Sequence, residues 1–328
     1  MPRPASPLPA ELGASFRCDD ALGAGVSRRR LRADDLETPF RGVRLRAEQR
    51  PDEDLVDGAP LARDHAQRRR VMRLARAYAE VMAPHAFYSG RTAAVILGAP
   101  MAHGHDLEVG VRAPARAPRR RGIRAVKVAS ALVSVQEWEG MRVSSPASTW
   151  AMLARELDVR ELVVLGDAFV RVPRNEHGKP QAHLQLATPQ QLRRAAAAGP
   201  RRGVARLRAA LELIRVGSAS PLETEYRIDA GAAGLPDPEL DVEIRHASGR
   251  LLGISDAVYR QFRTIVEVEG DHHRTSRAQW NRDIEKYAAY AAAGWDVVRL
   301  TADHIRGPSP RAVSIVREVL LRRGWRAA

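Results

Sequence analysis

Apolar and polar residues alternate along Thr264–Gly270, and this period of two predicts a β-strand. Val266 and Val268 then lie on one face of the strand, while Glu267 and Glu269 lie on the other. Periods and capping residues predict the neighbouring elements in this order: helix 221–230, strands near 240–245 and 251–258, the strand just described, helix 276–293, strand 296–301 and helix 310–323. The C-terminal part of the chain therefore predicts a mixed α/β fold with the core order αβββαβ.

Helices and strands are predicted along the earlier part of the chain as well. Apolar residues recur at helical spacing over 62–82, and strands are expected at Leu107–Arg112 and Ile123–Val128. Pro, Gly and polar residues fill 172–187, which indicates a loop or linker beside a domain boundary. Capping residues mark four further helix starts, at Ser89, Ser145-Pro146, Asp158 and Thr188-Pro189.

The length of 328 residues indicates two or three domains rather than one. We predict an α/β multi-domain protein. Its parts, in chain order, are a frayed tail at 1–14, a compact DNA-binding unit at 15–50, a middle domain at 51–172, a helical linker at 173–218 and a C-terminal domain at 219–328.

The segment Ser15–Arg46 has the order of elements typical of a winged helix-turn-helix. A short helix around Asp19–Ala24 is followed by a turn, and Ser27 caps a second helix that runs through Arg28–Leu31. The extended stretch Pro39–Arg46 would then form the wing. We predict that four arginines contact double-stranded DNA, namely Arg28, Arg29, Arg30 and Arg41. The alternative is a helical cap whose arginines are solvated.

The chain carries a formal charge of +14, which favours a polyanionic partner such as double-stranded DNA. Only three lysines occur, so nearly all of the positive charge is arginine, and a compositional bias toward arginine is the alternative explanation. A single cysteine, Cys18, excludes an internal disulfide framework and a cysteine-based zinc site. The sequence contains neither a signal peptide nor an apolar run long enough to span a membrane, so we expect a cytoplasmic protein with no membrane partner.

Three carboxylates are expected to meet in the C-terminal domain. Glu267 and Glu269 share one face of a strand, and Asp256 lies near the end of the strand before it. Pairing of these two strands would bring Asp256 beside the glutamates, and such a cluster repels itself unless a cation is bound. Hard oxygen ligands suit Mg²⁺ or Mn²⁺. The chemistry that this arrangement favours is hydrolysis of phosphodiester bonds.

The motifs of this domain resemble those of the very-short-patch-repair (Vsr) endonucleases, and more closely those of a related bacterial domain family that is uncharacterised. Both belong to the PD-(D/E)XK, restriction-endonuclease-like superfamily, so the resemblance implies that superfamily's core. About a third of the chain is covered, and the matching motifs are Ser220-Pro221-Leu222-Glu223, Ala233-Gly234-Leu235-Pro236, Asp256, Glu267-Val268-Glu269, His272-His273, Arg282-Asp283, Gly294-Trp295-Asp296-Val297-Val298 and Thr301-Ala302-Asp303.

The resemblance implies roles for the carboxylates. Asp256, Glu267 and Glu269 would bind the metal ion, and Glu223 on the first helix of the core would face it. Glu223 is equally well explained as part of a capping box with Ser220. The superfamily pattern has a lysine where this chain has Glu269. Either Glu269 binds a second metal ion, or another group replaces the lysine, or the site is inactive.

Two histidines and an aspartate complete the implied site. His272 and His273 resemble the histidine that Vsr-like nucleases use near the scissile phosphate, either as a general base or as a cation. Asp283 would orient a histidine or pair with an arginine.

Two basic residues lie near these carboxylates in the sequence. Arg227 is one helical turn after Glu223, which makes it a candidate partner for that glutamate. Lys286 is the only lysine close to the implied site. We expect Lys286 to be exposed, because three other residues of its helix are expected to face the core, namely Trp280, Ile284 and Ala288.

The N-terminal half resembles the AbiEi-type antitoxins and transcriptional regulators, on Phe40-Arg41-Gly42-Val43 and on the helix that begins after Ser89. Together the two resemblances imply a DNA-acting protein with a metal-dependent endonuclease domain. In the alternative, the nuclease fold is catalytically silent and the protein is a DNA-binding transcriptional regulator or AbiEi-type antitoxin. A cognate toxin or a second copy of the chain would be its protein partner.

Overall fold

The computed structural model describes residues 6–47, 62–269 and 277–327. These residues form two compact units, Met1–Met152 and Leu153–Ala328. Within the described ranges there are three β-sheets and eleven α-helices, so the prediction of a mixed α/β fold is confirmed. No helix among the described residues is long and apolar enough to cross a membrane.

The first unit begins with a three-stranded antiparallel sheet in the order β1-β3-β2. Its core contains Phe16 and Leu31, which pack with the buried Ala21. The elements are β1 (Ser15–Arg17), α1 (Cys18–Gly23), β2 (Leu36–Glu37) and β3 (Val43–Arg46).

The second helix predicted for this segment is not formed, because Arg30–Arg32 make only a single 3-10 turn. Ser27 does cap this turn, since its Oγ accepts a hydrogen bond of 3.1 Å from the Arg30 backbone N–H. The chain then becomes extended at Ala33. The Arg30 guanidinium binds Asp35 through two hydrogen bonds of 2.8 and 2.6 Å. These bonds stabilise the extended segment that follows the single turn.

The rest of the first unit is a five-stranded sheet in the order β6-β5-β4-β8-β7. The predicted strands β5 and β6 are confirmed, whereas the sequence patterns missed the three short strands β4, β7 and β8. A two-residue turn at Glu139 and Gly140, with φ of 49° and 73°, joins β7 to β8. The elements are α2 (Ala62–Ala79), β4 (Ala86–Tyr88), α3 (Gly90–Ile96), β5 (Leu107–Arg112), β6 (Ile123–Val128), β7 (Val135–Trp138), β8 (Met141–Ser144) and α4 (Pro146–Leu153).

Helices open the second unit, and the predicted caps of two of them are confirmed. Asp158 and Glu161 form a reciprocal capping box at the start of α5, and Thr188 and Gln191 form another at the start of α6. Helices α7 and α8 both pack against α5. The segment 173–218, predicted as a linker, thus contributes α6 and α7 to this unit. The helices are α5 (Val159–Val170), α6 (Pro189–Ala197), α7 (Val204–Leu213) and α8 (Pro221–Ala232).

A four-stranded sheet in the order β12-β11-β10-β9 completes the second unit. Strands β9, β10 and β11 pair antiparallel, and β12 runs parallel to β11. From α8 to β12 the observed order is helix, three strands, helix, strand, as the periods predict. The elements are β9 (Glu239–Arg245), β10 (Leu251–Tyr259), β11 (Thr264–Glu269), α9 (Arg277–Ala292), β12 (Asp296–Thr301), α10 (Ala302–Arg306) and α11 (Ala312–Arg322).

Both faces of this sheet are covered by helices. Val266 and Val268 of β11 pack in one core with residues of α8 and α11. Ile265, on the opposite face, packs with Tyr290 of α9 and with Trp295. The alternation predicted for β11 is therefore confirmed, and it directs Glu267 toward α9.

Candidate functional site

Asp256 lies where strands β10 and β11 separate. Their paired register ends at Ala257 and Val266, one residue from Asp256. Beyond that point, the Asp256 side chain takes over the role of the strand backbone, because its Oδ2 accepts a hydrogen bond of 2.7 Å from the Val268 N–H. The carboxylate therefore spans the opening between the two strands and is held beside β11.

Glu267 projects from β11 toward α9 and is buried, with 6% of its surface exposed. Lys286 of α9 places its Nζ 2.9 Å from Glu267 Oε1. This ammonium group also lies over the rings of Tyr287 and Tyr290, 5.7 and 5.6 Å from their centroids. Glu267 Oε1 is buried, and the Lys286 ammonium is the cation that stands beside it. Because burial disfavours an uncompensated carboxylate, this ion pair favours the charged form of Glu267.

Glu223 and Glu267, which both interact with Asp256, have raised pKa values. Burial and, to a smaller extent, the nearby negative charge of Asp256 together raise the pKa of Glu223 to about 8. Burial and the same Asp256 charge raise the pKa of Glu267 to about 7, against the opposing effect of Lys286. Asp256 therefore interacts electrostatically with both glutamates, which belong to different elements, α8 and β11.

Glu223 also takes part in capping α8, and its role beside a metal ion stays a prediction. The Ser220 Oγ accepts a hydrogen bond of 3.2 Å from the Glu223 N–H. The Glu223 Oε2 in turn accepts one of 2.6 Å from the Ala219 N–H. The basic residue predicted to be its partner, Arg227, instead binds the buried Asp167 at 2.6 Å. That prediction was wrong because Asp167 is presented by α5, far away in sequence.

Glu269 is engaged by an arginine from the neighbouring strand. Arg299 of β12 forms an ion pair with Glu269, and its guanidinium lies 4.9 Å from the centre of the Tyr287 ring. The negative charge of Asp283 raises the pKa of Arg299, which places Asp283 near this pair. Across the described ranges, no three His, Cys, Asp or Glu side chains are grouped closely enough to hold a metal ion.

Of the other predicted site residues, two fall outside the described residues and four belong to the first unit. His272 and His273 fall between 269 and 277, outside the described residues. In the first unit, Arg28, Arg29 and Arg41 are exposed, and their contact with DNA stays a prediction. Arg30 differs from them, because Asp35 already binds its guanidinium.

The structure adds two cations beside these carboxylates. Lys286, which the sequence singles out as the only lysine close to the implied site, was expected to be exposed, but α9 turns Lys286 and Tyr290, which are one helical turn apart, toward the sheet. The predicted inward position was wrong for Ile284, which is 52% exposed, and for Ala288, which is exposed as well. Arg171, just after α5, is the second cation, and the sequence patterns missed it. Burial and the charge of Asp256 raise the pKa of Glu223, and the positive charge of Arg171 opposes them.

Comparisons with known proteins are limited to distant relatives. No protein-family model matches the chain. Two uncharacterized proteins of Mycobacterium tuberculosis, from two different strains, are 26% identical to it over 186 residues. That match covers 56% of this chain and 64% of each relative. The chain therefore spans less than two thirds of the length of these relatives.

The raised pKa values of Glu223 and Glu267 predict that the metal-free protein loses stability as the pH rises from about 5 to about 8. In this window the unfolded chain has already released protons that the folded protein still holds, so the free energy of unfolding falls with pH. Thermal melting in chelator should show this decline, and Glu267→Gln should reduce it. The exposed Glu239, whose pKa is lowered by Arg260, offers the control substitution Glu239→Gln. An equal decline in wild type and Glu267→Gln would contradict the prediction.

Proposed function

We propose that this protein is a metal-dependent nuclease that hydrolyses phosphodiester bonds of DNA, with its chemistry in the second unit. The contact between Lys286 and Glu267 carries the proposal. The superfamily that the sequence resembles has a lysine on the strand, where this chain has Glu269. Lys286 brings an ammonium group to within 2.9 Å of Glu267 from the following helix. The missing lysine thus has a replacement that keeps the charge beside the carboxylates.

The architecture of the second unit supports the proposal. Its helix, three strands, helix and strand follow one another in the order expected for a restriction-endonuclease-like core. Asp256 lies at the end of the paired part of β10, Glu267 lies on β11, and Glu223 lies in the first turn of α8. Three elements therefore present acidic groups whose charges interact.

The residues present fit a divalent metal ion. Asp256 and Glu267 would bind it, because the negative charge of Asp256 repels that of the buried Glu267 and a cation between them would offset this repulsion. Mg²⁺ and Mn²⁺ prefer oxygen ligands, and Mg²⁺ is commonly bound through one or two carboxylates and water. When bound, such an ion supplies an activated water molecule and neutralises charge on the phosphate.

Lys286, the two tyrosines beside it and Glu223 would contribute charge or hold neighbouring groups in place. Lys286 holds Glu267 in place and adds a positive charge where a phosphate oxygen would become more negative during hydrolysis. The rings of Tyr287 and Tyr290 flank the ammonium group and restrict its movement. Glu223 retains a proton near neutral pH while the site lacks an ion, which reduces repulsion among the carboxylates.

Nicking of supercoiled plasmid tests this proposal. We expect wild type to nick DNA with Mg²⁺ or Mn²⁺ and to lose the activity in chelator. Lys286→Met should lower the single-turnover rate by about 10²–10³-fold, comparable to the loss of one preorganised charge-stabilising group. DNA affinity should change little, because binding is distributed over many arginines. The matched control is Lys127→Met, which removes an exposed lysine from β6.

Two outcomes would count against the proposal. Wild type that nicks no DNA with either metal ion would overturn the nuclease assignment. Equal rates for Lys286→Met and Lys127→Met would overturn the role of Lys286.

A second candidate function is a DNA-binding transcriptional regulator or AbiEi-type antitoxin with a silent nuclease fold. The observation that favours it is the pairing of Glu269 with Arg299, because a lysine is absent from that strand position and the glutamate is already neutralised. Its partners would be double-stranded DNA and a cognate toxin or a second copy of the chain. DNA binding without any metal-dependent nicking would support this function instead.

A further inference from the structure

A small hairpin formed by residues 171–181, here called the Arg174 hairpin, lies beside the carboxylates of the second unit. An isolated antiparallel bridge joins its two arms. At its tip, the Asn175 Oδ1 accepts hydrogen bonds from the backbone N–H groups of His177 and Lys179, at 3.0 and 2.9 Å. This part of the chain was predicted to be a loop or linker, but internal hydrogen bonds give it a defined structure.

Arg174 anchors the hairpin to the edge of the sheet. Its Nε donates to both carboxylate oxygens of Asp241, at 2.7 and 2.9 Å, and its Nη2 donates to the Asp241 backbone carbonyl at 2.9 Å. Asp241 has a left-handed backbone, with φ of 53°, and lies on β9 across from Asp256 of β10. Arg174 therefore attaches the hairpin to β9, the strand next to the one that carries Asp256.

The tip of the hairpin contacts β10 directly. Gly178 has a φ of 75°, which favours glycine, and a Cβ atom there would lie 2.8 Å from Ile254 Cδ1, so the tip lies close to this side chain. Ile254 is two residues before Asp256, on the same strand. The hairpin is thus held at two points, β9 and β10, next to the acidic cluster.

The hairpin carries cations whose charges are not neutralised by the contacts described. Arg171 directly follows α5, and its guanidinium makes no hydrogen bond or ion pair with the described residues. Its positive charge acts on Glu223 against the larger effects of burial and Asp256, which raise the pKa of that glutamate. Lys179 is exposed beside Gly178. The one acidic residue of the hairpin, Glu176, is itself exposed and lies 3.4 Å from His177.

We propose that the Arg174 hairpin is the wall of the nuclease site that binds the substrate strand, with Arg171 and Lys179 contacting phosphates next to the bond that is cleaved. This inference rests on the proposed nuclease function. A phosphate backbone would be repelled by Asp256, Glu223 and Glu267 alone, so cations beside them are needed to hold it there. Arg174 is a positioning residue, because its own charge is used by Asp241 and Glu243.

The test compares two double variants of the full chain. Arg171→Gln with Lys179→Gln removes both hairpin cations. Arg194→Gln with Arg208→Gln removes the same charge from exposed positions on α6 and α7. Binding to a short DNA duplex would be measured by fluorescence anisotropy across a range of salt concentrations with Ca²⁺ present, and cleavage would be measured with Mg²⁺.

The salt dependence of binding is the decisive quantity. Loss of the hairpin cations should make the plot of log affinity against log salt shallower by about one unit for each lost phosphate contact. The kcat/KM for cleavage by the hairpin variant should fall as well. Arg171→Lys with Lys179 intact should restore both, since the charge is retained.

The outcomes separate this inference from the proposed function. Wild type that cleaves, together with a hairpin variant that matches the control variant in salt dependence and kcat/KM, would overturn the role of the hairpin alone. Wild type that does not cleave would overturn the nuclease function on which it rests. Equal melting temperatures of the two double variants would exclude unfolding as the cause of any difference.

Discussion

Replacement of Asp256 by Asn is expected to abolish metal-dependent cleavage, with a loss of at least about 10³-fold. Asparagine keeps an oxygen that can accept the hydrogen bond of the Val268 N–H, so the junction of β10 and β11 is preserved. What is lost is the negative charge that, with Glu267, would bind the metal ion. Affinity for DNA should stay close to that of wild type, because it depends on arginines rather than on this carboxylate.

Two measurements on the same pair of proteins check this result. Plasmid nicking with Mn²⁺ should be present in wild type and absent in Asp256→Asn. The melting temperature should rise with Mn²⁺ in wild type only, since an ion that binds the folded protein alone stabilises it. Asp296→Asn is the matched control, because Asp296 belongs to the same sheet but pairs with Arg323. Undiminished nicking by Asp256→Asn would refute the metal-binding role of Asp256.

Replacement of Asp167 by Ala is expected to lower the free energy of unfolding by about 3–5 kcal/mol. Asp167 is 1% exposed and accepts hydrogen bonds from the Arg227 guanidinium at 2.6 Å, the Thr224 hydroxyl at 2.9 Å and the Arg215 N–H at 2.8 Å. Without the aspartate, the buried Arg227 would keep its charge with no carboxylate to neutralise it. The helices α5, α7 and α8 would lose the contact at which they meet.

Urea unfolding measures this loss, and an exposed ion pair provides the comparison. Asp229 binds Arg160 through two hydrogen bonds, at 2.5 and 3.0 Å, but both side chains are more than a third exposed. Asp229→Ala should therefore cost only about 0–1 kcal/mol. If the two variants were destabilised equally, burial would not be what makes the Asp167 pair important.

Local signals in the sequence account for much of the second unit. Caps at Asp158 and Thr188 set where helices begin, because a side chain there satisfies backbone N–H groups a few residues away. The alternation in β11 decided which face receives Glu267, because successive side chains of a strand point in opposite directions. Both effects act over a few residues, so they can be read from the chain without knowing the fold.

The same local signals failed at two places in the first unit. The 3-10 turn at Arg30 ends after three residues, where Arg30 binds Asp35 and the backbone becomes extended. The segment capped by Ser27 therefore does not continue into the predicted recognition helix. The hairpin of β7 and β8 is short, and its strands are held by neighbours in a five-stranded sheet rather than by a strong pattern of their own.

Sequence alone was sufficient to predict the order of elements from α8 to β12 and to propose the acidic residues of the candidate site, because both depend on spacing along the chain. Only the tertiary structure decided which cations stand beside those acids. Lys286 reaches Glu267 from α9, and Arg171 lies beside Glu223 from the end of α5. The rotation of α9 about its axis is set by the packing of Tyr287 and Tyr290 against the sheet, and no local spacing encodes that packing.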